Sequence, residues 1–195
     1  KINYDIDITT AKELFCIGTI ADMAPLTGAN RRWLKEYLPK IKRTNNKGLR
    51  RILKTLLLDE NDITSEDIGF KIAPLINSVG RIGEPKLIID LLTNNYEENS
   101  TKLSKECFAI NKERKRITSL VEQEALEIAL LESNRNRKFL VLAKNEWHPG
   151  VIGIVAARIA EKYNLPTAIL SEASDGTFRG SIRSNGLLKV NLALI

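Results

Sequence analysis

What the chain has little of narrows its chemistry first. It carries one histidine, two cysteines and one methionine in 195 residues. One histidine is too few for a histidine-rich metal centre. Cys16 and Cys107 are far apart, with no Cys-x-x-Cys pair and no histidine beside either. That pattern points to two buried, reduced thiols and not to a disulfide or a zinc site. Long apolar runs are missing as well. The longest, Val151–Ala157, is far too short to span a bilayer. No signal-like pattern opens the chain, so no membrane is expected and the cytoplasm is the expected compartment. There is no P-loop and no Ser–His–Asp arrangement. What is there, 43% hydrophobic and 28% charged residues, is an ordinary globular composition sized for one large or two small domains. The chain opens on Lys1 and closes inside an apolar pattern, so both ends read as cut from something longer.

The charge is unevenly placed. Between Arg31 and Lys54 lie ten basic residues, Arg31, Arg32, Lys35, Arg50 and Arg51 among them, and only Glu36 opposes them. Such a stretch attracts phosphate by charge alone, although a solvated helix face has the same composition.

Periodicity divides the chain. Thr10-x-x-Glu13 has the pattern of a capping box, followed by helically spaced Leu14, Phe15, Ile17, Ile20 and Ala21. Pro25 stops that helix shortly after Asp22. Further helices are expected over Ala29–Leu38, ended by Pro39, and over Leu49–Leu58, started by an Asn45–Gly48 turn. The second of these puts Leu49, Ile52, Leu53, Leu56 and Leu57 on one face. Asp59–Ser65 reads as a polar loop. Glu66–Arg81 starts helical, contains Pro74 and turns at Gly80 and Gly83; Glu84–Thr93 is a short helix. Glu97–Ser133 has no Gly or Pro over about 37 residues and would form a rod of roughly 55 Å. It is amphipathic at both ends and polar all round at Asn111–Arg116, which suits a helix between two domains; a coiled-coil pattern fails there. After it the period becomes that of a βαβ unit: strand Phe139–Ala143, helix Val151–Tyr163 and strand Pro166–Leu170, with the strands parallel. Asp175-Gly176 is a hairpin turn into a third strand at Thr177–Ile182.

Four clusters could do chemistry. In GTIADMAPLTGANR, Asp22 is a carboxylate at an otherwise apolar helix end, where a metal ion, a cation partner or a helix cap would each explain it. In APLINSVGR, Asn77 and Arg81 are four apart on one helical face; they suit phosphate oxygens, or a surface pair. In EWHPGVIGIVAAR, His148 sits on a strand-to-helix loop, where free backbone N–H groups at the helix start would favour an anion; an ordinary βα turn has the same sequence. In RGSIRS, Ser181 and Arg183 are two apart and share one strand face, a small-anion site beside Gly180. Asp5-Ile-Asp7 reads as a solvated strand edge.

Together and in this order, these stretches resemble the RecJ branch of the DHH phosphoesterase superfamily over about residues 14–185. The resemblance implies an α/β fold. Residues 1–95 would be the helical C-terminal part of a DHH catalytic domain, residues 96–134 a long connecting helix, and residues 135–195 part of a DHH-associated domain that closes over the substrate. It implies a 5′→3′ exonuclease of DNA repair and recombination that uses Mn²⁺ or Mg²⁺ and takes single-stranded DNA. A helicase and a single-strand-binding protein would be protein partners of a monomeric enzyme. By position, Asp22 would be a metal ligand and catalytic residue, and Asn77 and Arg81 would lie by the scissile phosphate. His148 would be a catalytic substrate contact, and Ser181 with Arg183 would hold the 5′-terminal phosphate. Arg31, Arg32, Lys35, Arg50 and Arg51 would form the electrostatic patch.

One departure matters. The family's Asp-x-Asp and Asp-His-His motifs are absent, and by the family's order they would precede Lys1. Asp5-Ile-Asp7 falls in the wrong place for either. One ligand cannot hold two metal ions, so the chain by itself is expected to be inactive. The alternatives are other DHH enzymes (oligoribonucleases and phosphatases that carry a Gly-Gly-Gly-His stretch, or manganese pyrophosphatases), a non-catalytic scaffold, and a plain basic nucleic-acid-binding module.

Overall fold

Among the described residues helices run up to Ala129 and a small sheet follows, the α/β organisation expected. A computed structural model describes residues 8–58, 62–131, 138–172 and 176–184. The chain divides into two compact units, Lys1–Asn111 and Lys112–Ile195. The Asp5-Ile-Asp7 pair and Asp175 lie outside the described residues.

The first unit contains α1 (Thr9–Ala21), α2 (Gly28–Tyr37), a 3₁₀ turn (Leu38–Arg43), α3 (Lys47–Thr55), α4 (Ser65–Asp67), α5 (Ala73–Ile82) and α6 (Pro85–Thr93). The helix α7 (Glu97–Ala129) begins there too. Cys16, Ile41, Leu49, Ile52, Ile68, Ile72, Leu75, Leu91 and Cys107 are completely buried and make one core. Burial, with Glu13 beside Cys16 and Glu106 beside Cys107, pushes both thiols up to about 11. They stay protonated and unreactive, as two structural cysteines should.

Several local expectations change. Thr10 does not cap α1: it lies inside the helix, whose N-cap is Ile8, and Glu13 is buried, accepting a 2.5 Å hydrogen bond from the Thr44 hydroxyl. The capping box that forms is Thr64–Asp67, where the Asp67 N–H donates to Thr64 Oγ1 and the Thr64 N–H to Asp67 Oδ2. Hydrogen bonds from Lys71 and Thr64 hold the Asp67 carboxyl down at about 2. α2 does end just before Pro39, at Tyr37, and the path continues as a 3₁₀ turn, which accepts proline in its first turn. Asn46 caps α3 by accepting from the Leu49 N–H at 2.8 Å. Gly48 belongs to α3 and is there for close packing, since a Cβ would lie 1.8 Å from the Leu91 carbonyl oxygen. α3 stops at Thr55, so Leu57 leaves the apolar face, with φ 57° and 80% exposure.

Gly80 does not turn the chain; α5 runs through it to Ile82, and Gly83 is extended. Pro74 is accommodated by a π-helical stretch, Ile68–Ile72, between α4 and α5, in which the Ala73 N–H reaches back to Ile68 O. Proline offers no N–H to the fourth residue back and its ring crowds that carbonyl, so widening the helix just before it removes the clash.

α7 also differs from its reading. Its middle is polar all round in sequence but not solvated on every side: Arg114 is 9% and Thr118 2% exposed. The buried positions Ser100, Ser104, Cys107, Arg114, Thr118, Val121, Ala125 and Ala129 recur at helical spacing, so one stripe of small, apolar and polar residues runs its length.

In the second unit, β1 (Leu140–Ala143), α8 (Pro149–Tyr163), β2 (Thr167–Glu172) and β3 (Phe178–Arg183) follow the last turns of α7. β1 pairs with β2 in parallel and β2 with β3 antiparallel, in the order β1-β2-β3. Gly176, with φ 76°, lies in the link between β2 and β3. Val151, Ile152, Val155, Ala156 and Ile159 bury one side of α8, and Leu140, Leu142 and Ile169 are the buried side chains of the sheet. Two glutamates of α7 fasten it here: Glu122 takes Arg158 at 2.5 Å, and Glu124 takes both Lys144 and the Trp147 indole N–H at 2.7 Å. Those two donors, Lys144 first, hold the Glu124 carboxyl below its ordinary range.

Candidate functional site

The loop from β1 to α8 is built differently from an open anion hole. Trp147 is buried, 3% exposed, and its carbonyl accepts from Ser171 Oγ at 2.5 Å. That anchor puts the half-buried His148 at the N-cap of α8. Its Nδ1 accepts from the Gly150 N–H at 3.0 Å, and its carbonyl accepts from Val151 at 3.0 Å. Pro149 has no N–H to give. The first donors of the helix are therefore occupied, and the backbone does not offer the free N–H cluster the sequence suggested. What the loop offers instead is Nε2, which carries the proton of a neutral ring whose Nδ1 is an acceptor.

A second set of donors comes from β3. Ser181 lies opposite buried Ile169 and Arg183 opposite buried Thr167. Directly opposed residues share a sheet face, as do residues two apart, so Arg179, Ser181 and Arg183 form a row. That face meets α8 at Gly153, where a Cβ would lie 3.1 Å from Ser181 Oγ and 3.4 Å from Arg183 Nη2. A hydroxyl and a guanidinium thus converge over a bare helix backbone. Ser181 is half-buried and Arg183 exposed, so the donors can be reached from solvent. A small, oxygen-rich anion is what such a pair binds best. The sequence reading missed Gly153. The signal was a glycine in mid-helix, which costs roughly 1 kcal/mol relative to alanine and calls for a reason.

In the first unit, Asp22 is the C-cap of α1, its N–H bonded to Gly18 O at 3.0 Å. It is exposed. A carboxylate in water needs no counter-charge, so the desolvation reason for a metal there lapses. Asn77 and Arg81 are both exposed and four apart on α5, one helical face as expected. Asn30 does not cap α2; its side-chain amide donates to Pro25 O at 3.0 Å and Thr27 is the N-cap.

The basic stretch separates into two groups. Arg50 donates to Thr44 O at 2.7 Å and Arg51 pairs with Glu97 at 2.8 Å. Lys42 pairs with Asp62, and Lys40 lies 4.3 Å from the Tyr37 ring centre. Arg31, Arg32 and Lys35, all on α2, are exposed and have no hydrogen bond or ion pair among the described residues. Asp62 and Glu97 oppose the patch as Glu36 does, which the linear count could not show.

Among the described residues no three His, Cys, Asp or Glu side chains gather as metal ligands. Asp22 alone does not fit a two-ion centre, whose ions must hold both the attacking and the leaving oxygen. No helix of the described residues is long and apolar enough to cross a membrane.

Residues 136–195 match the DHHA1 domain family. The single-stranded-DNA-specific exonuclease RecJ of Bacillus subtilis is 34% identical over 173 residues, 88% of this chain and 22% of that protein. The Escherichia coli RecJ is 32% identical over 176 residues, 88% of this chain and 30% of that protein. The crystal structure of Thermus thermophilus RecJ in complex with Mg²⁺ superposes with a TM-score of 0.80 at 30% identity, covering 95% of this chain and 28% of that one. By sequence and by fold, the chain is similar to a part of RecJ. A structure of exonuclease RecJ bound to manganese is as similar, with a TM-score of 0.79 over 95% of this chain and 45% of that one. The chain spans between about a fifth and a third of the length of the curated RecJ proteins it matches. The DHHA1 match covers the βαβ unit and β3, so Ser181, Arg183 and Gly153 all lie within the matched residues.

Proposed function

We propose that this chain is the DNA-holding part of a metal-dependent, single-strand-specific 5′→3′ exonuclease, and that it captures a 5′-terminal phosphate. The observation that carries the reading is the convergence of Ser181 and Arg183 over Gly153. A terminal phosphate is dianionic and rich in acceptors, and charge-assisted bonds from a guanidinium are the strong kind. In this reading Ser181 and Arg183 bind and orient the strand end, and His148 donates from Nε2 to a phosphate oxygen. Arg31, Arg32 and Lys35 draw in the backbone of the strand, and Asn77 with Arg81 contact phosphate. The likeness to proteins named as single-stranded-DNA-specific exonucleases supports the substrate class. In the intact protein a divalent ion would activate the attacking water, with Asp22 among its ligands; the RecJ structures with Mg²⁺ or Mn²⁺ support the choice of ion.

The test is Arg183→Ala, comparing single-stranded oligonucleotides of one sequence with 5′-phosphate or 5′-hydroxyl ends. Loss of a charge-assisted phosphate contact should cost about 1.5–3 kcal/mol on the phosphorylated end and little on the other. An equal loss on both ends would remove Arg183 from the pocket and reduce the chain to a basic nucleic-acid-binding module.

A further inference from the structure

We infer that Gly153 determines the specificity of the Ser181–Arg183 pocket: its missing side chain leaves the room in which these two donors grip a terminal phosphate monoester. This rests on the phosphate reading above and assigns it a residue that touches no ligand atom through a side chain of its own.

Glycines have different reasons in this fold. At Gly48 a Cβ would collide with the backbone oxygen of Leu91 at 1.8 Å, so packing requires glycine. Gly176 has φ 76°, so conformation favours it. Neither reason holds at Gly153. It is interior to α8 with ordinary helical geometry, and the three atoms nearest an added Cβ are Ser181 Oγ at 3.1 Å, Arg183 Nη2 at 3.4 Å and Ser181 Cβ at 3.7 Å. No atom of the apolar core is among them. Helix propensity favours alanine at such a position. The chain therefore carries a residue that weakens α8, at the spot where the nearest groups to gain from it are the two anion-binding side chains. A methyl group there would push the hydroxyl outward by a few tenths of an ångström and crowd the guanidinium. A phosphate in the middle of a strand has two non-bridging oxygens where a terminal one has three, so the terminal end makes more contacts with the two donors and loses more.

The experiment uses the 195-residue chain and fluorescence anisotropy with the same single-stranded oligonucleotide carrying a 5′-phosphate or a 5′-hydroxyl. The proteins are the unaltered chain, Gly153→Ala, Ser181→Ala and the double variant. Gly153→Ala should lower the preference for the phosphorylated end at least threefold, with hydroxyl-end binding kept and the thermal midpoint equal or higher. Because both positions act on one pocket, the double variant should lose less than the product of the single losses. Full retention of the preference in Gly153→Ala overturns the inference. So does an equal loss on both ends accompanied by a lower midpoint, which would make Gly153 a packing residue. If the unaltered chain shows no preference at all, the phosphate reading itself falls, and this inference with it.

Discussion

His148 spends one ring nitrogen on its own helix, and the proposed function gives the other to a phosphate oxygen, so two substitutions can separate the roles. Asparagine offers an acceptor at the same N-cap and removes the Nε2 donor; alanine removes both. His148→Asn should stay close to the unaltered protein in chemical denaturation yet bind 5′-phosphorylated DNA more weakly. His148→Ala should in addition lose about 0.5–2 kcal/mol of stability, the usual cost of a lost cap. Unchanged binding by the asparagine variant would leave His148 as a helix cap only. Asp22 shows the opposite case. Its candidacy was argued from burial, and the residue is exposed, so its role depends on partners that the described residues do not supply.

Among the elements, α2 is where charge stays available. Arg31, Arg32 and Lys35 have no partner there among the described residues, whereas Arg50 and Arg51 hold Thr44 and Glu97. Replacing the first three with alanine should weaken single-stranded DNA across sequences. It should also lower the slope of log affinity against log salt by about 0.7 for each phosphate contact removed. Arg50→Ala and Arg51→Ala should show mainly in thermal stability; the reverse pattern would mean the patch was assigned to the wrong residues. The run of basic residues was legible from composition, but its division was not, because Thr44 and Glu97 are brought to it by folding. Likewise the apolar periodicities of α3, α6 and α8 placed those helices within a few residues, and the period of two placed Ser181 beside Arg183. Missed were features that depend on a second element: the backbone of Leu91 behind Gly48, Thr44 on Glu13, and the β3 side chains over Gly153.

For the whole molecule, the two units together span between about a fifth and a third of the length of the curated RecJ proteins the chain resembles. The described residues include, in separate units, the Ser181–Arg183 pair over Gly153 and an exposed basic face on α2, but no set of metal ligands. Purified alone, the chain should bind single-stranded DNA and release no nucleotides with Mn²⁺ or Mg²⁺ present. Metal-dependent release, followed by gel or by acid-soluble product, would show that ligands exist where none were found. The family resemblance made the fold legible from sequence, since its elements lie inside long, unusual motifs, and a spacing of two put Ser181 and Arg183 on one strand face. The metal centre was not legible, because one carboxylate carries no geometry.

The π-helical stretch Ile68–Ile72 has a consequence for Asn77 and Arg81. Such a stretch amounts to one extra residue in an α-helix, and one residue is about 100° of rotation. Pro74 thereby fixes the phase of everything after it. With a regular α-turn in place of the stretch, Asn77 and Arg81 would point about a quarter-turn away around the axis while Ile68 stayed in the core. The azimuth of these two polar side chains is thus set by a proline three residues before the first of them.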